Sequence, residues 1–451
     1  MKRCSTRHKL LFAVALILGL FSGALQALAQ DAPILTMEKA VSMALEHNQD
    51  LGLAGNSVKS AKISLKQDKD DFLPSLSASS SWSTTADRKE STQDDTYQSL
   101  SGALSTNVNL FNGYADQASL EKSQYSLSAE QNTQSRTVQS VIYQTMAAYF
   151  QAYTDKESIG VAENNLDENT RQLEEIQAFF NAGSRPITDL YQQQAETSSA
   201  QLTLLTAQRD YSVSRIKLME AIGMPATANF EVTAPNLSQE VLTETVDMPT
   251  MLNSAFSQRP DILARVESIS SAQAQIRESK AGFWPSLDLF GEVGTNYSSL
   301  QNNSFEDQFW DESMDARVGL SLAIPIFDRN ITKNNVAKAR ISLNNTELQL
   351  EKLKRQVEAE IGQAVADYET AAKKVQVTRD RLQYAAQAME SSYQRYSVGA
   401  STLTELTQAR TTYVEAQYGR IEADVNLRVQ ALALAFYTGT LDASAFASEE
   451  E

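Results

Sequence analysis

The sequence predicts a mixed, mainly α-helical protomer that contains one structural unit twice and combines long antiparallel, coiled-coil-like helices with four β-strands. Three observations predict this fold. The two halves of the 451-residue chain match residue by residue, each half contains two segments with period-two alternation, and each half contains a proline-free stretch of about 70 residues. A repeat of about 200 residues indicates duplication of a whole domain, not a short solenoid unit.

The first 29 residues have the pattern of a secretory signal peptide. Four basic residues precede the apolar run 10–20, which is followed by Ala27-Leu28-Ala29. The run is too short to cross a bilayer as a helix, and no later stretch approaches the roughly 20 apolar residues that a helical span needs. Because Cys4 precedes the run, we expect no lipid anchor. Cleavage after Ala29 would leave a mature chain without cysteine, and therefore without disulfides.

The chain is acidic, with a formal net charge of −17. Loss of the leader removes four positive charges and no negative one, which leaves −21. This charge repels nucleic acid and fits either a solvated surface or an acidic lumen that favours cations. His8 would leave with the leader, so only His47 remains. We therefore expect no cofactor, no His-rich metal site and no His-dependent catalytic triad.

The duplication sets the domain organisation. The segments are a first repeat at 30–230, a linker at 231–248, a second repeat at 249–441 and an acidic, disordered tail at 442–451. Pro74 matches Pro285 at an offset of 211, whereas Phe111 matches Phe327 at an offset of 216. The second copy thus has five more residues between these anchors, which mark where the strands begin and end. Since length varies most easily in surface loops, we expect a loop between the anchors in both copies.

Each pair of anchors encloses a β-hairpin with one apolar and one polar face, at 74–111 and 285–327. In the second hairpin, Leu287 and Leu289 alternate with Asp288. Segments of about 10 residues suit the tilted strands of an outer-membrane barrel, although a soluble β-sandwich shows the same alternation. The polar stretches 87–95 and 298–311, with aromatic residues near their ends, are expected as extracellular loops.

Each repeat also predicts one very long helix and two helices of about half its length. The predicted long helices are 113–182 and 330–398, and the shorter ones are 36–70, 187–223, 249–282 and 403–439. About 70 residues at 1.5 Å each give about 105 Å. Two shorter helices stacked end to end would match one long helix, as in the wall of a cylinder. A turn at Asn164-Asn165, which would divide the first long helix into a hairpin, is the alternative.

This order of elements resembles the TolC family of outer-membrane efflux and type I secretion duct proteins. The motifs that carry the resemblance are Phe72-Leu73-Pro74-Ser75-Leu76 and Trp284-Pro285-Ser286-Leu287 where strands begin, Leu110-Phe111-Asn112-Gly113 where a strand leads into a helix, and Tyr396-Ser397-Val398-Gly399 with Thr404-Glu405-Leu406 at a helical turn. The resemblance covers about residues 35–441. It implies that three protomers together form a 12-stranded transmembrane β-barrel in the outer membrane and an α-helical barrel that extends into the periplasm.

The resemblance implies a channel with no enzymatic activity. Such a porin-like homotrimer passively exports small molecules or proteins from a Gram-negative cell, as the exit duct of a tripartite efflux pump or a type I secretion system. The sequence contains no Gly-rich Walker-type motif, so energy must come from a partner. The implied partners are a periplasmic adaptor (membrane fusion) protein and an inner-membrane RND pump or ABC exporter.

The resemblance also places a gate at the periplasmic tip, where Gly183 and Gly399 form turns. The candidate gate residues are Gly183, Arg185, Thr188, Asp189, Tyr396, Gly399, Ser401, Glu405 and Gln408. Ser401 and Gln408 stand where the family often has a basic and an acidic residue. We hypothesise that Arg185 takes over part of the inter-helix bonding and that Glu405 is repeated three times around the pore. Alternatively, Asp189 and Glu405 are helix-start residues favoured by the helix dipole.

Two other functions are alternatives at this stage. A non-pore structural or adhesive coiled-coil protein of the periplasm or cell surface predicts a water-soluble mature chain. A secreted hydrolase would need an acid and a base such as Asp70 and Asp71, but these adjacent residues fit better as the end of a helix before Pro74. The sequence identifies neither the cargo nor the energising partner.

Overall fold

The computed structural model describes residues 33–88, 94–228, 230–235 and 247–441. This part of the chain contains eight α-helices, a four-stranded antiparallel sheet and a two-stranded parallel sheet. The strands are β1 (Ile34–Leu35), β2 (Ser75–Arg88), β3 (Asp94–Phe111), β4 (Glu231–Val232), β5 (Ser286–Ser298) and β6 (Asp315–Ala323). The helices are α1 (Met37–His47), α2 (Gln49–Asp70), α3 (Ala115–Asn181), α4 (Ile187–Ile222), α5 (Met248–Gln258), α6 (Pro260–Lys280), α7 (Ile331–Ser397) and α8 (Leu403–Thr438). The predicted signal peptide, the acidic tail and most of the linker lie outside the described residues.

The four-stranded sheet has the order β2-β3-β5-β6 and the two faces that the alternation predicts. Side chains that face each other across neighbouring strands are polar on one face, as in the row Ser77, Ser105, Glu292 and Arg317. The hydroxyls of Ser77 and Ser105 are 2.8 Å apart, and Arg317 donates to Glu292 at 2.8 Å. The opposite face is apolar and exposed; the side chain of Val318, for example, is 82% exposed. No sheet of the described residues packs on this face, so the soluble sandwich is wrong.

The loops of the two hairpins differ from the expected ones. β2 continues to Arg88 and β3 begins at Asp94, so the first loop is shorter than the predicted 87–95, and residues 89–93 are outside the described part. In the second hairpin the connection extends from Ser298 to Asp315 and includes a π-helical segment, Asp307–Glu312, that the polar composition does not reveal.

The helices form a wall one layer thick. α3 packs against α2 and α4 on one side and against α6 and α8 on the other, and α7 packs against α6 and α8. α3 and α7 are continuous over 67 residues each, or about 100 Å, and each lies beside two shorter helices. The alternative turn at Asn164-Asn165 is therefore wrong. None of the helices in the described segments is long and apolar enough to cross a membrane.

Two predicted helices, 36–70 and 249–282, are each interrupted, which corrects the sequence interpretation. Asn48 and Arg259 have extended backbones and separate α1 from α2 and α5 from α6; a 3₁₀ turn, Ala281–Phe283, follows α6. The Asn48 amide donates to the Ala221 carbonyl at 3.0 Å, and the Arg259 guanidinium donates to the Tyr437 carbonyl at 3.0 Å. The two acceptors are 216 residues apart, which is the offset between the repeats. Both repeats therefore interrupt a helix at the same place, here called the joint, but an amide makes the hydrogen bond in the first and a guanidinium in the second.

Each joint packs against a glycine that ends a half-length helix. Gly223 follows α4 and Gly439 follows α8, both with positive φ, of 81° and 78°. A Cβ on Gly223 would lie 2.5 Å from the His47 carbonyl oxygen, and one on Gly439 would lie 3.0 Å from the Arg259 backbone. Only glycine combines this backbone conformation with such a close approach.

The second joint carries a buried charge network. Arg259 Nη2 lies 2.7 Å from Asp261 and its Nη1 lies 2.9 Å from Glu360, while Arg136 stacks 3.8 Å above the Phe436 ring. Burial would raise the pKa of Asp261, but hydrogen bonds and charge from Arg259 outweigh it and keep this pKa below its usual value. Burial, together with repulsion from Arg259, lowers the pKa of Arg136 to about 10. The network ties α3, α6 and α7 together.

The parallel strands β1 and β4, which the sequence did not predict, bring the start of the first repeat beside the beginning of the predicted linker 231–248. The fully buried Tyr149 of α3 places its hydroxyl 2.9 Å from the carbonyl oxygens of Leu35 and Thr233. The largest apolar cluster surrounds this hydroxyl and fixes the strand pair against the middle of α3.

Candidate gate at the helical turns

The helical turns have the same geometry in both repeats. Gly183 and Gly399 have φ of 73° and 76°, and their backbones turn α3 into α4 and α7 into α8. The Gly183 N–H donates to Phe180 O at 2.9 Å, and the Ser184 N–H donates to Phe179 O at 2.9 Å. This is the hydrogen-bond pattern of a Schellman motif. A Cβ at either glycine would meet nothing within 4 Å, so glycine is required by the backbone conformation and not by crowding.

A small apolar cluster holds the two turns side by side. Its buried members are Ile176, Leu190, Tyr396, Leu403 and Leu406. These residues come from α3, α4, α7 and α8, so all four helices end at the same place. The two turns that the resemblance identified are thus neighbours within one protomer.

Arg185 connects the first turn to the second. Its guanidinium lies 4.4 Å from the centre of the Tyr396 ring, within the range of a cation–π interaction. Its Nη2 also donates to the Tyr396 carbonyl at 3.3 Å, and its Nη1 is 3.9 Å from the Asp189 carboxylate. The side chains of Arg185 and Asp189 are each 22% exposed, so solvent only partly screens the pair.

Tyr396 is the buried centre of this group. Its hydroxyl is buried and has no hydrogen-bond partner among the described residues. Burial raises the pKa of Tyr396; the Arg185 charge opposes this rise, while Asp189 adds to it. The aromatic ring and the backbone carbonyl, and not the hydroxyl, therefore make the contact between the turns.

The remaining candidates lie on the second turn or apart from it. The Ser401 hydroxyl donates to the Glu405 carboxylate at 2.6 Å, and the Glu405 N–H donates to the side chain of Thr402, the N-cap of α8. Thr188 and Gln408 are exposed, and within the described chain their side chains have no hydrogen-bond partner. Both Asp189 and Glu405 lie in the first turn of a helix, where a carboxylate interacts favourably with the dipole.

The structure contains a buried polar layer just above the tip that the sequence did not predict. Arg410 of α8 is 6% exposed, and its guanidinium donates to the side-chain oxygens of Asn169 at 3.1 Å and Gln172 at 3.5 Å. The fully buried Gln193 donates to the same Asn169 oxygen at 3.1 Å. Burial lowers the pKa of Arg410, and none of the carboxylates in the described residues contacts it. The layer joins α8 to α3 and α4.

A signal for this layer is present in the sequence. Arg410 follows Leu403 and Leu406 at the spacing of one helix face, so a charged residue stands where the buried stripe predicts an apolar one. The positions that match Asn169 and Gln193 in the second copy are Ala385 and Ala409. The two repeats therefore differ in polarity just above the turns.

The described residues offer no group of three or more His, Cys, Asp or Glu side chains placed to hold a metal ion. The side chains at the turns instead hold the helices together, and the charged ones lie at one end of the helical wall.

The comparisons with known proteins agree with this architecture. A family model described as "Outer membrane efflux protein" matches residues 40–224 and 251–440, which are the two repeats. The chain is 22% identical to the outer membrane efflux protein BepC of Brucella suis, over 75% of this chain and 72% of BepC. It is 25% identical to protein CyaE of Bordetella pertussis, over 91% of this chain and 85% of CyaE. The solved CmeC outer membrane channel of Campylobacter jejuni superposes with a TM-score of 0.78 at 18% identity, over 89% of this chain and 85% of CmeC.

Proposed function

The chain belongs to the outer membrane efflux protein family, and from this premise we propose that three copies assemble into one duct with a gate at its periplasmic end. The protein is an outer-membrane exit duct for efflux or secretion. The four-stranded sheet is the membrane part, and the helical wall extends from it into the periplasm. The non-pore coiled-coil alternative is not favoured by the family match.

The open edges of the sheet support the trimer. Among the described strands, β2 and β6 have a partner on one side only. Backbone groups without partners in lipid cost several kcal/mol each. Three sheets joined edge to edge give a closed ring of 12 strands in which every edge is paired.

The helical wall also has open edges. Two helices at its edges carry exposed apolar side chains, with Leu202 on α4 and Val377 on α7 each 65% exposed. α4 of one protomer would lie against α7 of the next, which would cover these side chains and continue the wall into a cylinder.

The duct depends on partners for energy. Members of this family work in tripartite efflux pumps or secretion systems with an adaptor and an inner-membrane component. For this chain we propose a periplasmic adaptor whose helices pack at the tip, together with an RND pump or an ABC exporter. The transported compound can be a small molecule or a protein.

At the tip, the proposed gate has two parts. Arg185, Asp189 and Tyr396 hold the two turns of one protomer together in the closed state. Glu405, repeated by threefold symmetry, places three carboxylates at the entrance, where they attract cations. What supports this is the contact geometry of Arg185 and the exposure of Glu405, whose charge is balanced, among the described residues, only by the solvent-exposed Arg395 at 3.8 Å.

The test is conductance of purified, refolded protein in planar bilayers. Glu405→Ala and Asp189→Ala are each compared with Gln194→Ala, which removes an exposed, uncharged side chain of α4 that is not a candidate gate residue. We expect Glu405→Ala to reduce cation preference and Asp189→Ala to raise the current, while Gln194→Ala changes neither. The gate assignment fails if both carboxylate variants behave like the control. The proposal of a duct is refuted if the protein is a stable monomer that does not partition into membranes.

A further inference from the structure

A basic groove lies at the junction of the sheet and the helical wall. It is formed where α6 ends and α7 begins, and it has a volume of about 670 Å³. The residues of the groove used below are Lys280, Phe283, Trp284, Lys333, Arg340 and Ile341. β5 begins at Ser286, two residues after Trp284. The groove is therefore at the depth where the membrane part of the proposed duct meets the periplasm.

Among the described residues, the three cations of the groove, Lys280, Lys333 and Arg340, form no ion pair with a carboxylate. The nearest acidic side chains along the chain have other partners. Glu278 binds Lys122 at 2.5 Å, and Asp328 accepts a hydrogen bond from the Thr332 N–H at 2.7 Å. In a chain with a net charge of −17, this groove offers a concentrated positive charge to an external anion.

Apolar side chains lie beside these charges. Trp284 is 58% exposed and Ile341 is 61% exposed, and Phe283 is similarly open. Aromatic residues favour the interface between lipid and water. The groove thus combines cations with an apolar surface and fits a ligand that has an anionic head and an apolar body.

The opposite side of the same two helices is different. There, Gln275, Ser279, Asn335 and Ser342 line a second groove with one carboxylate, Glu278, which is paired with Lys122, and one cation, Lys338. A polar side without aromatic rings suits the water-filled interior of a duct, whereas a side with three cations and exposed aromatic rings suits the outer surface next to lipid. We therefore assign the basic groove to the outside of the wall.

The first repeat provides an internal comparison. The residues that match Lys333 and Arg340 are Gln117 and Gln124, and Glu121 stands where the second repeat has Ala337. Of the three cations, only Lys280 has a basic counterpart, Lys69. The positive charge is therefore specific to one of two equivalent grooves and is not a general consequence of the fold.

We propose that the groove binds the headgroup of an anionic phospholipid from the periplasmic leaflet of the outer membrane. Lys280, Lys333 and Arg340 contact the phosphate, and Trp284 lies along the first part of the acyl chains. This inference rests on the proposed function, because it requires the sheet to span the outer membrane. A trimer would have three such sites, one in each protomer.

The experiment measures lipid preference next to Trp284. The chain has three tryptophans, so Trp82→Phe and Trp310→Phe leave Trp284 as the only one. This parent is reconstituted in phosphatidylcholine vesicles that contain increasing amounts of brominated phosphatidylglycerol, and its fluorescence quenching is compared with that by brominated phosphatidylcholine. Because each cation near a surface contributes on the order of a few-fold in affinity, we expect phosphatidylglycerol to be preferred by at least about threefold at low salt.

The groove variant is Lys280→Gln with Lys333→Gln and Arg340→Gln, and we expect its preference to fall to about one. The matched control removes the same charge from exposed lysines just below the sheet but outside the groove, by Lys62→Gln, Lys66→Gln and Lys338→Gln. It should keep the preference of the parent. Lys333→Gln alone, an exposed single change, should give an intermediate value.

The vesicles are also fused with a planar bilayer and their conductance is measured, which distinguishes failure of the proposed lipid site from failure of the proposed duct. A parent that conducts but shows no preference for phosphatidylglycerol overturns the lipid site and leaves the duct intact. Equal loss in the groove variant and the control also overturns it, because the preference would then follow general surface charge. A parent that does not insert overturns the duct, and the lipid site with it.

Discussion

Replacing Arg185 with glutamine tests whether one side chain keeps the two turns of a protomer together. Arg185 is the residue of the first turn that touches the ring, and also the carbonyl group, of Tyr396. Glutamine is shorter, is uncharged and cannot stack as a cation. The change should therefore loosen the first turn from the second without altering the fold of either helix pair.

The size of the effect follows from the three contacts. A cation–π interaction at a partly exposed site contributes about 0.5 to 1 kcal/mol, and a hydrogen bond to a carbonyl contributes about 0.5 to 1.5 kcal/mol. The contact with Asp189 adds little, because 3.9 Å is too long for a hydrogen bond and an ion pair that solvent partly screens contributes about 0 to 1 kcal/mol. A loss of about 1.4 kcal/mol in one subunit changes the ratio of closed to open states about tenfold. If three subunits open together, the change is about a thousandfold.

Single-channel recording in planar bilayers provides the measurement. We expect Arg185→Gln to increase the open fraction strongly and Arg185→Lys to have an intermediate effect, because lysine keeps the charge but not the planar group. Tyr396→Phe is the control that discriminates, since the hydroxyl it removes has no hydrogen-bond partner in the described part of the chain and its loss should not open the channel. The reasoning is refuted if Tyr396→Phe opens the channel as much as Arg185→Gln does, or if Arg185→Gln has no effect.

Three further predictions concern stability, measured by thermal or denaturant unfolding of the assembled protein. Arg410→Met removes a buried cation that none of the carboxylates described in the structure contacts, so we expect unchanged or higher stability; a loss of more than about 3 kcal/mol would contradict this. Because Arg259 lowers the pKa of Asp261, this carboxylate contributes stability that is complete above its unfolded pKa of about 3.9 and is lost as pH falls through the lower folded value. Asp261→Asn should therefore reduce stability at pH 7 and flatten the acid side of the profile, and an unchanged profile would exclude this role. Gly223→Ala and Gly183→Ala both place a side chain at positive φ, which costs about 1 to 2 kcal/mol. Only Gly223→Ala also brings a Cβ within 2.5 Å of a backbone oxygen, so it should cost at least about 1 kcal/mol more, and equal losses would show that crowding has no part.

The hairpins could be predicted because their signal is local and strict. A strand that slips by one residue turns every side chain to the other face, so the alternation of Leu287, Asp288 and Leu289 determines which side is apolar. The breaks in the shorter helices are harder to recognise because the apolar pattern continues across them. Pro260 disfavours a helical backbone at Arg259 and was a usable signal, whereas Asn48 has no such neighbour.

Other features depend on contacts that a sequence pattern does not contain. β1 and β4 have two residues each, too few for any periodicity, and they pair across almost 200 residues of chain. The partners of Arg410, Asn169 and Gln172, are on another helix, α3, so its position in an apolar stripe indicates that it is unusual but not what it binds. The resemblance located the turns and proposed Arg185 as a bonding residue. The structure adds its contact with Tyr396, and its role in gating stays a prediction.

The open edges of the four-stranded sheet also have a genetic consequence. In the proposed trimer, each protomer is joined to a neighbour through both edges of its sheet, so a defect in either edge affects the whole ring. If half of the subunits in a cell had a defect on β2 or β6, only about one eighth of randomly assembled threefold rings would contain none of them. Alleles of this kind should therefore be dominant over the wild type, even though the healthy gene still supplies half of the protein.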